Sequence, residues 1–594
     1  MPVTTASTTP VSRGAQWLLQ GSEPVGVFTP ERLTDEHRLI GKTVSDFVAG
    51  EVLPALDRLE QKDWGLARQL VQRCGELGLL GVDVEEAYGG LALDKVTSVV
   101  VSERISPSAS FGATFGAHAN LMILPLSLFG SESQKRQYLP RLIAGELIGA
   151  YCLSESGSGS DALGARARAT RSADGGFVLN GEKMWITNGG FADLFIVFAK
   201  VDGEHFSAFI VERAFAGVSN GHEEHKMGLH GSSTTPVILQ DVKVPAANLL
   251  GTVGKGHKIA FNVLNFARFK LGAMCSGGAQ TAIGEAARYA ATRRQFGQPI
   301  ASFGAIKHKL GEMIVRTYAV ESLVYRTAGL IDARIAAAAD ETGQAIALAT
   351  LEEYAIEASI AKVAGSETMD FVLDENIQIH GGNGYVRDYP AERHYRDSRV
   401  NRIFEGTNEI NRLLISGMLA RRAAKGDLPV IAAARALQDE LLSSSPTVAS
   451  DSARLGDEQR AIESFKKATL MLLGLAMQTY GNKVADEQEV LTYLADMIID
   501  VYSAESAVLR ARAAADNGTA NADLHVAAAR VFVSDAGLRL EATLRQALAA
   551  MLEGDALRTS LAASRRLFRQ APVNTVLLRR RLADEAVSMG RYFF

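Results

Sequence analysis

A glutamate between apolar and flexible residues is the strongest candidate for acid–base chemistry in this sequence. Glu405 follows Ile403 and Phe404 and precedes Gly406. Burial in such surroundings raises the pKa of a carboxyl group, which suits a general base. The same residues could instead form the exposed start of a helix, and composition alone favours that interpretation. The residues by themselves leave both alternatives open.

Two glycine-rich segments could approach a flat or phosphorylated ligand closely. Gly381, Gly382 and Gly384 lie between helical stretches, where small residues leave room for such a ligand. Residues 157–162 match a relaxed dinucleotide-binding fingerprint, which requires a helix directly after it. Residues 163–174 are polar and end in a turn, so no such helix is predicted. The loop could still bind phosphate through backbone N–H groups, and a plain connector is the alternative.

The composition narrows the class of protein. Lys and Arg number 62 and Asp and Glu 67, giving a net charge of −5 that argues against nucleic-acid binding. Hydrophobic residues make up 47%, enough for large cores. Three cysteines without a CxxC pair predict neither a disulfide framework nor a metal site. No apolar run approaches the length of a membrane span, about 20 residues, and a cytoplasmic location is expected.

The elements that must position these residues change character along the chain. The Ser- and Thr-rich residues 1–29 predict a flexible leader, and the periodicity of residues 30–149 predicts an N-terminal helical domain. Short β-rich runs at residues 150–250 predict an antiparallel β domain. Within it, Asn180-Gly181 is a strong signal for a hairpin turn between strands at residues 177–179 and 182–185, and two short strands are expected at 237–239 and 242–244.

Helical patterns return after the β domain. Residues 251–425 predict a helical bundle, in which Ile306, Leu310, Met313 and Ile314 line one face. Pro429 and the Ser-rich run before Pro446 predict a linker over residues 426–458. Residues 459–594 are rich in amphipathic patterns and predict a further helical domain.

Five motifs occur in the order found in the acyl-CoA dehydrogenase family, which residues 30–420 resemble. The motifs are Tyr151-Cys-Leu-Ser-Glu-Ser-Gly-Ser-Gly-Ser160, Trp185-Ile-Thr187, Arg293-Arg-Gln-Phe-Gly297, Gln378-Ile-His-Gly-Gly382 and Phe404-Glu-Gly-Thr407. The helical region after residue 425 is similar to the extension of the very-long-chain branch. The resemblance implies a mainly α fold with an N-terminal helical domain, a middle antiparallel β domain, a C-terminal helical bundle and an extra C-terminal helical domain.

The resemblance also implies a reaction. A fatty acyl-CoA would be oxidised to the trans-2-enoyl-CoA in β-oxidation, with FAD as the cofactor and electron transfer flavoprotein as the electron acceptor. Glu405 would remove the α-proton. Its backbone N–H and an FAD hydroxyl would bind the thioester oxygen, as in an oxyanion hole. A non-catalytic assembly protein of the same fold and an acyl-CoA oxidase are the alternatives.

The remaining site residues follow from the same resemblance. The FAD contacts implied are Tyr151, Leu153, Ser154, Gly159, Ser160, Trp185, Thr187, Arg293, Gln295, Phe296, Gln378, Gly381, Gly382, Thr407 and Glu409. The substrate contacts implied are Ser160, Arg268, Phe404 and Gly406. Since Arg293 and Gln295 resemble contacts to the FAD of a neighbouring subunit, a homodimer is expected.

Two further expectations concern the substrate and the membrane. The small residues at 112–117 would lie near the floor of an acyl tunnel and predict long-chain substrates, with close helix packing as the alternative. Arginines of the extension could contact an anionic membrane surface, although a solvated helix face explains them more simply. They are Arg565, Arg566, Arg569, Arg579, Arg580 and Arg581.

Overall fold

The computed structural model describes residues 12–338, 343–442 and 454–594. The chain divides into two compact units. The β-containing unit comprises residues 33–321, 361–411 and 576–594. The other unit comprises residues 1–32, 322–360 and 412–575, and we call it the all-helical unit because the elements formed by its described residues are all helices. The family-like arrangement of a helical, a β and a second helical region along the chain is confirmed, but the extension after residue 458 is shared between both units.

The β-containing unit opens with seven helices. Two of these helices begin with a capping box, at Thr34 and at Ser131. In each, the capping hydroxyl accepts from the backbone N–H three residues later, and the side chain of that later residue accepts from the backbone N–H of the cap. The helices are α1 (Asp35–Phe47), α2 (Leu56–Glu60), α3 (Trp64–Glu76), α4 (Lys95–Ile105), α5 (Ala109–His118), α6 (Leu124–Phe129) and α7 (Glu132–Ile143).

One helical stretch corrects an expectation from the sequence. Ala109–Phe129, which joins α5 and α6 through a π-helical turn, is long and apolar enough to cross a membrane by length and composition. The expectation that no such stretch exists was therefore wrong. Of its most apolar window, 78% is buried inside the structure, which is the behaviour of a core helix.

An eight-stranded sheet follows, with the order β6-β7-β3-β2-β4-β5-β8 and β1 paired to β4. Most pairs are antiparallel as predicted, while β1 and β2 run parallel to β4. The strands are β1 (Gly149–Cys152), β2 (Arg168–Arg171), β3 (Phe177–Thr187), β4 (Leu194–Val201), β5 (His205–Glu212), β6 (Val218–Asn220), β7 (Thr234–Val244) and β8 (Leu249–Leu250).

The predicted hairpin turn at Asn180-Gly181 was wrong, because β3 continues through it with a β-bulge. Gly181 has a φ of 151°, and a Cβ there would lie 2.8 Å from the Cβ of Ala167. Asn180 exchanges two hydrogen bonds with Asp241 on β7, at 3.0 and 2.9 Å. Asn180-Gly181 therefore forms a β-bulge, which, like a turn, favours a glycine for its conformational freedom. The two short strands predicted at 237–239 and 242–244 are likewise one strand, β7.

The second helical part of the β-containing unit surrounds two long helices. It contains α8 (Gly256–Thr292), the short hairpin of β9 (Arg294–Gln295) and β10 (Gln298–Pro299), the start of α9 (Gly304–Ala337), most of α11 (Ala355–His380) and α12 (Ala391–Ser398). Leu310, Met313 and Ile314 are buried on α9, as predicted from their spacing, while Ile306 is half-buried.

The C-terminal helix α19 (Thr575–Met589) belongs almost entirely to the β-containing unit. Its Arg579 is buried and donates two hydrogen bonds to Glu312 on α9, at 2.9 and 2.7 Å. The hydroxyl of Tyr592 donates to Glu321 at 2.8 Å. Both the membrane surface and the solvated helix face considered for Arg579 are therefore wrong, because its charge is balanced inside the protein.

The all-helical unit contains α10 (Gly343–Glu353), α13 (Asn408–Lys425) from Arg412 onward, α14 (Val430–Leu442), α15 (Gly456–Tyr480), α16 (Gln488–Asp516), α17 (Ala522–Met551) and α18 (Gly554–Leu567). Residues 430–442 of the predicted linker are thus a helix that starts after Pro429, where a proline is well tolerated. Residues 443–453 of that linker lie outside the described residues.

The N-terminal segment is more ordered than a flexible leader. Trp17 and Leu18 are buried, and the indole Nε1 of Trp17 donates to Glu357 at 2.9 Å. The backbone N–H of Ala15 donates to the same carboxylate at 2.6 Å. The prediction was therefore wrong for residues 12–29, which gain apolar burial and buried hydrogen bonds. Residues 1–11 lie outside the described part of the chain.

Candidate functional site

Glu405 lies in a tight turn between α12 and α13 and has an unusual environment. Its φ is 58°, and that of the following Gly406 is 84°. For a residue with a side chain, this left-handed conformation costs about 1–3 kcal/mol. The carboxylate atom Oε2 is buried and has no hydrogen-bond partner. Burial raises the pKa of Glu405 to about 7, although the nearby charges of Lys362 and Arg268 oppose the shift. Of the two alternatives that the residues left open, the structure therefore favours the buried, weakly acidic carboxyl group.

The carbonyl oxygens of the turn accept hydrogen bonds from three buried side chains. Arg268 Nε on α8 donates to the Glu405 oxygen at 3.0 Å. Lys362 Nζ on α11 donates to the Gly406 oxygen at 2.8 Å. Asn411 Nδ2 donates to the oxygens of Gly406 and Thr407, at 2.8 and 3.0 Å. The turn is therefore fixed from two long helices and from the start of α13.

No motif in the sequence indicates that Lys362 or Asn411 supports the Glu405 turn, and the resemblance implies a substrate contact for Arg268. A lysine within the buried apolar run around Ile360 and Val363 is the signal that could have revealed Lys362. Arg268 is buried, and its Nη1 donates to Asn265 at 3.0 Å. In this structure its guanidinium supports the Glu405 turn, and contact with CoA stays a prediction.

The residues predicted from the first motif surround the end of β1 and meet β3. The backbone N–H of Met184 donates to the Ser154 oxygen at 2.9 Å, which places Ser154 beside Trp185. Trp185 is 56% exposed and has a φ of 58°. The hydroxyl of Tyr151 is buried without a hydrogen-bond partner. A buried orphan hydroxyl on β1 and an exposed indole on β3 suit a large planar ligand.

The remaining members of these motifs are less enclosed. Leu153, just after β1, and Thr187, at the end of β3, are half-buried, and Gly159 and Ser160 are exposed in the loop after β1. That loop is anchored by Glu155, which accepts from Lys183 Nζ at 2.7 Å and from the backbone N–H groups of Arg166 and Ala167, at 2.6 and 3.0 Å. The Lys183 side chain is 0% exposed.

Glu155→Gln should destabilise the protein because it leaves the Lys183 ammonium buried without a counter-charge. Breaking a buried ion pair costs about 3 kcal/mol or more. The melting temperature of the purified variant measures the effect. Asp202→Asn is the matched control, since its ion pair with Arg171 is exposed and contributes at most about 1 kcal/mol. Equal melting temperatures for the two variants would count against a structural role for the Glu155 pair.

A second group of predicted residues gathers at the ends of α8 and α11. The rings of Tyr289 and His380 stack with centroids 4.1 Å apart. This contact joins the hairpin that carries Arg293, Gln295 and Phe296 to the exposed Gln378, Gly381 and Gly382. Phe296 is 92% exposed, and a Cβ at either glycine would have open space around it. These groups form an accessible surface with room for a ligand or another chain.

The loop at residues 226–232 connects the β domain with the helices before Glu405. The backbone N–H of Leu229 donates to the buried carboxylate of Asp397 on α12 at 2.5 Å. Gly228 lies so close to the backbone of Arg396 that a Cβ would fall 2.4 Å from its oxygen. The β domain and the Glu405 turn are thereby linked through α12.

The remaining predicted site residues lie around Glu405 and at the start of α13. Phe404, Gly406 and Thr407 are half-buried around Glu405, Thr407 Oγ1 caps the N–H of Ile410 at 3.3 Å, and Glu409 is exposed. Within residues 12–338, 343–442 and 454–594, no three His, Cys, Asp or Glu side chains are close enough to hold a metal ion. The site offers one buried base, aromatic surfaces and glycine loops, which suit a proton transfer beside an organic cofactor.

Comparisons with known proteins match nearly the whole chain. Models of the acyl-CoA dehydrogenase N-terminal, middle and C-terminal domains match residues 34–146, 150–242 and 254–420, and a further acyl-CoA dehydrogenase C-terminal model matches 464–566. A probable acyl-CoA dehydrogenase of Bacillus subtilis is 47% identical over 587 residues, 98% of each chain.

Two further relatives extend the similarity. The human mitochondrial very long-chain specific acyl-CoA dehydrogenase is 35% identical over 78% of this chain and 72% of that protein. The crystal structure of an acyl-CoA dehydrogenase of Bacillus anthracis, complexed with FAD, superposes with a TM-score of 0.96. It is 47% identical and covers 98% of this chain and all of that chain.

Proposed function

Because the chain belongs to the acyl-CoA dehydrogenase family, we propose that it oxidises long-chain fatty acyl-CoA in β-oxidation, with Glu405 as the base. It is an FAD-dependent oxidoreductase that acts on a CH–CH bond. FAD, when bound, accepts the β-hydrogen as hydride. The observation that carries the assignment of Glu405 is its buried, unpartnered Oε2 with a pKa raised to about 7.

The residues present fit FAD. The buried hydroxyl of Tyr151 has no partner within the protein, and a hydrogen-bonding edge of the cofactor would satisfy it. Trp185 and Ser154 would flank the flavin ring. Phe296 and the open space at Gly381 and Gly382 would receive the nucleotide end of the FAD bound by a neighbouring subunit. In this proposal Ser160, Phe404 and Gly406 contact the acyl-CoA.

Glu405 removes the α-proton of the thioester in this proposal. A base with a pKa near 7 is largely unprotonated above neutral pH and still basic enough to accept a proton. Negative charge develops on the thioester oxygen as the proton leaves, and the backbone N–H of Glu405 donates to that oxygen. The left-handed turn at Glu405-Gly406 directs both the carboxylate and this N–H.

We assign electron transfer flavoprotein as the acceptor, and oxygen defines the rival acyl-CoA oxidase. An assay with palmitoyl-CoA in air and one without oxygen but with electron transfer flavoprotein separate the two. A dehydrogenase forms trans-2-enoyl-CoA only with the flavoprotein and consumes little oxygen. Rapid oxygen consumption would indicate an oxidase, and a flavin that no acyl-CoA reduces would indicate the non-catalytic relative.

Gly116→Leu tests the long-chain assignment. A Cβ at Gly116 would make ordinary contact with Asn120 at 3.6 Å, so a larger side chain can enter the space between α5 and its neighbours. By contrast, a Cβ at Gly112 would lie 2.7 Å from Met274, as expected for close packing. We expect kcat/KM for palmitoyl-CoA to fall at least about 10-fold relative to butyryl-CoA. An unchanged ratio of the two would contradict a tunnel at Gly116.

We also propose a cytoplasmic homodimer. The support is the hairpin of Arg293, Gln295 and Phe296, whose three side chains are exposed. Light scattering on the FAD-loaded protein measures the mass directly, and a monomer would contradict the assignment of this hairpin to a neighbouring subunit's cofactor.

A further inference from the structure

We propose that Lys362 is a positioning residue, whose ammonium group holds the Glu405-Gly406 turn in place and supplies the charge that balances the Glu405 carboxylate. The inference rests on the proposed function of Glu405 as the base. Lys362 lies 43 residues before Glu405 in the sequence, on α11. Nothing in the motif that contains Glu405 points to it.

Lys362 is a buried cation whose hydrogen bonds go to neutral groups, while the charges of Glu405 and Glu367 act on it from beyond ion-pair distance. The residue is 0% exposed, and its Nζ donates to the Gly406 oxygen at 2.8 Å and to Asn408 Oδ1 at 2.6 Å. Both acceptors are neutral. Among the described residues, no carboxylate lies within the 4.0 Å of an ion pair with Lys362. Burying a charge in this way is costly unless an opposite charge stands close by.

Asn408 extends the support from Lys362 to the neighbouring part of α11. Its Nδ2 donates to Ser366 at 3.1 Å and to Glu367 at 3.0 Å, while its Oδ1 accepts from Lys362. Asn408 is itself buried at the first position of α13. The lysine therefore fixes both the carbonyl after the base and the helix start that follows.

Close packing of α8 against α11 positions the two cations, Arg268 and Lys362, beside the Glu405 turn. A Cβ at Gly272 of α8 would lie 2.9 Å from the Ala361 oxygen of α11, and one at Gly365 would lie 3.1 Å from Gly272 Cα. The two helix backbones meet at these glycines because no side chain separates them. Arg268 and Lys362 are thereby brought from different helices to the adjacent carbonyls of Glu405 and Gly406.

The charges around Glu405 have opposing effects on its protonation. Burial raises the pKa of Glu405, and the cations Lys362 on α11 and Arg268 on α8 lower it. Burial lowers the pKa of Lys362 to about 8 and that of Arg268 to about 10. The thiol of Cys275, also on α8, has its pKa raised by burial to about 12 and stays neutral. Removal of the Lys362 charge therefore makes Glu405 a weaker acid.

The test compares the pH dependence of flavin reduction in FAD-loaded variants. Lys362→Met removes the charge and the hydrogen bonds while keeping the length of the side chain. We expect kcat to fall by more than KM rises, and the acidic limb of kcat/KM to move to higher pH by about 1 unit or more. Lys362→Arg keeps the charge, so its acidic limb should stay near that of the native protein.

Asn411→Leu is the matched control for positioning without charge. Asn411 donates to the same Gly406 oxygen as Lys362, but it is neutral. We expect its kcat to fall while the acidic limb keeps its pH. If Lys362→Met fails to fold, Lys362→Gln provides a second neutral variant with the same expected shift.

An acidic limb that does not move in Lys362→Met or Lys362→Gln would overturn the inference, as would an equal shift in Lys362→Arg. A residue that serves stability alone would lower the melting temperature and leave the limb unchanged. Glu405→Gln separates this inference from the proposed function. If that variant remains active, the assignment of the base fails. If it is inactive and the limb is unmoved in the neutral Lys362 variants, only the role of Lys362 fails.

Discussion

Glu405→Gln should retain FAD but reduce it with acyl-CoA about 10³-fold more slowly, or worse, than the native protein. Glutamine keeps the size of the side chain and cannot accept the α-proton at neutral pH. Stopped-flow absorbance of the bound flavin after mixing with palmitoyl-CoA measures the rate. Glu204→Gln is the control, because Glu204 is exposed in the turn between β4 and β5 and should have no effect. A Glu405→Gln rate above one tenth of the native rate would contradict the assignment.

The same assignment predicts the direction of the pH dependence. The reaction needs the unprotonated carboxylate, and burial raises the pKa of Glu405 to about 7. As the pH falls through 7 the carboxylate becomes protonated, so kcat/KM should fall with it. An ordinary exposed glutamate would keep its charge down to a pH of about 4.

Glu505→Gln should cause the largest loss of stability in the all-helical unit. Glu505 on α16 accepts from Arg326 on α9 at 2.8 Å and from Lys466 on α15 at 2.6 Å, and all three side chains are at most 5% exposed. The substitution leaves Arg326 buried without its ion-pair partner, and it leaves Lys466 with Glu463 alone, at 3.4 Å. Removing one partner of a buried ion pair costs about 3–5 kcal/mol.

Calorimetry of the FAD-loaded protein measures the effect as a lower melting temperature. Glu440→Gln is the matched control, because the pair of Glu440 with Lys467 joins α14 to α15 at 2.6 Å on the surface. An exposed pair of this kind contributes about 1 kcal/mol or less. Similar melting temperatures for the two variants would show that the buried triad of Glu505, Arg326 and Lys466 contributes no more than a surface pair.

Two members of this triad bind the N-terminal segment, residues 12–29, which the sequence predicts as a flexible leader. Arg326 donates to Ser22 at 2.9 Å, and Lys466 donates to the backbone oxygen of Gln20 at 3.1 Å. A Ser- and Thr-rich segment has no periodicity that reports such contacts, because its partners are several hundred residues away in the sequence. Only the buried Trp17 offered a local signal.

The order of helical and β regions could be predicted because hydrophobic periodicity and turn residues act locally. Asn180-Gly181 shows the limit of such signals, since a hairpin turn and a β-bulge both use the conformational freedom of the glycine. The choice between them depends on Asp241 and on the close approach of Ala167, which the local sequence does not contain.

The candidate site also combines a feature with a local sequence signal and features that depend on distant residues. The residues around Glu405 left burial and exposure open, and its raised pKa follows from the burial that the structure shows. Lys362 could not be assigned in the same way, because its contacts depend on how α11 packs against the turn. The hydrogen bonds of Asn411 to Gly406 and Thr407 are local, but no motif indicates them. The motif predicts the reacting group. The packing of the helices determines how firmly the Glu405 turn is fixed and how nearby cations change the pKa of its carboxyl group.

Anaerobic titration of the purified, FAD-loaded protein with palmitoyl-CoA tests the central claim most directly. We predict that the absorbance of the oxidised flavin decreases in proportion to the substrate added, that trans-2-enoyl-CoA is recovered, and that Glu405→Gln shows neither change. A flavin that stays oxidised with palmitoyl-CoA and with acyl-CoA of every other chain length would contradict the account.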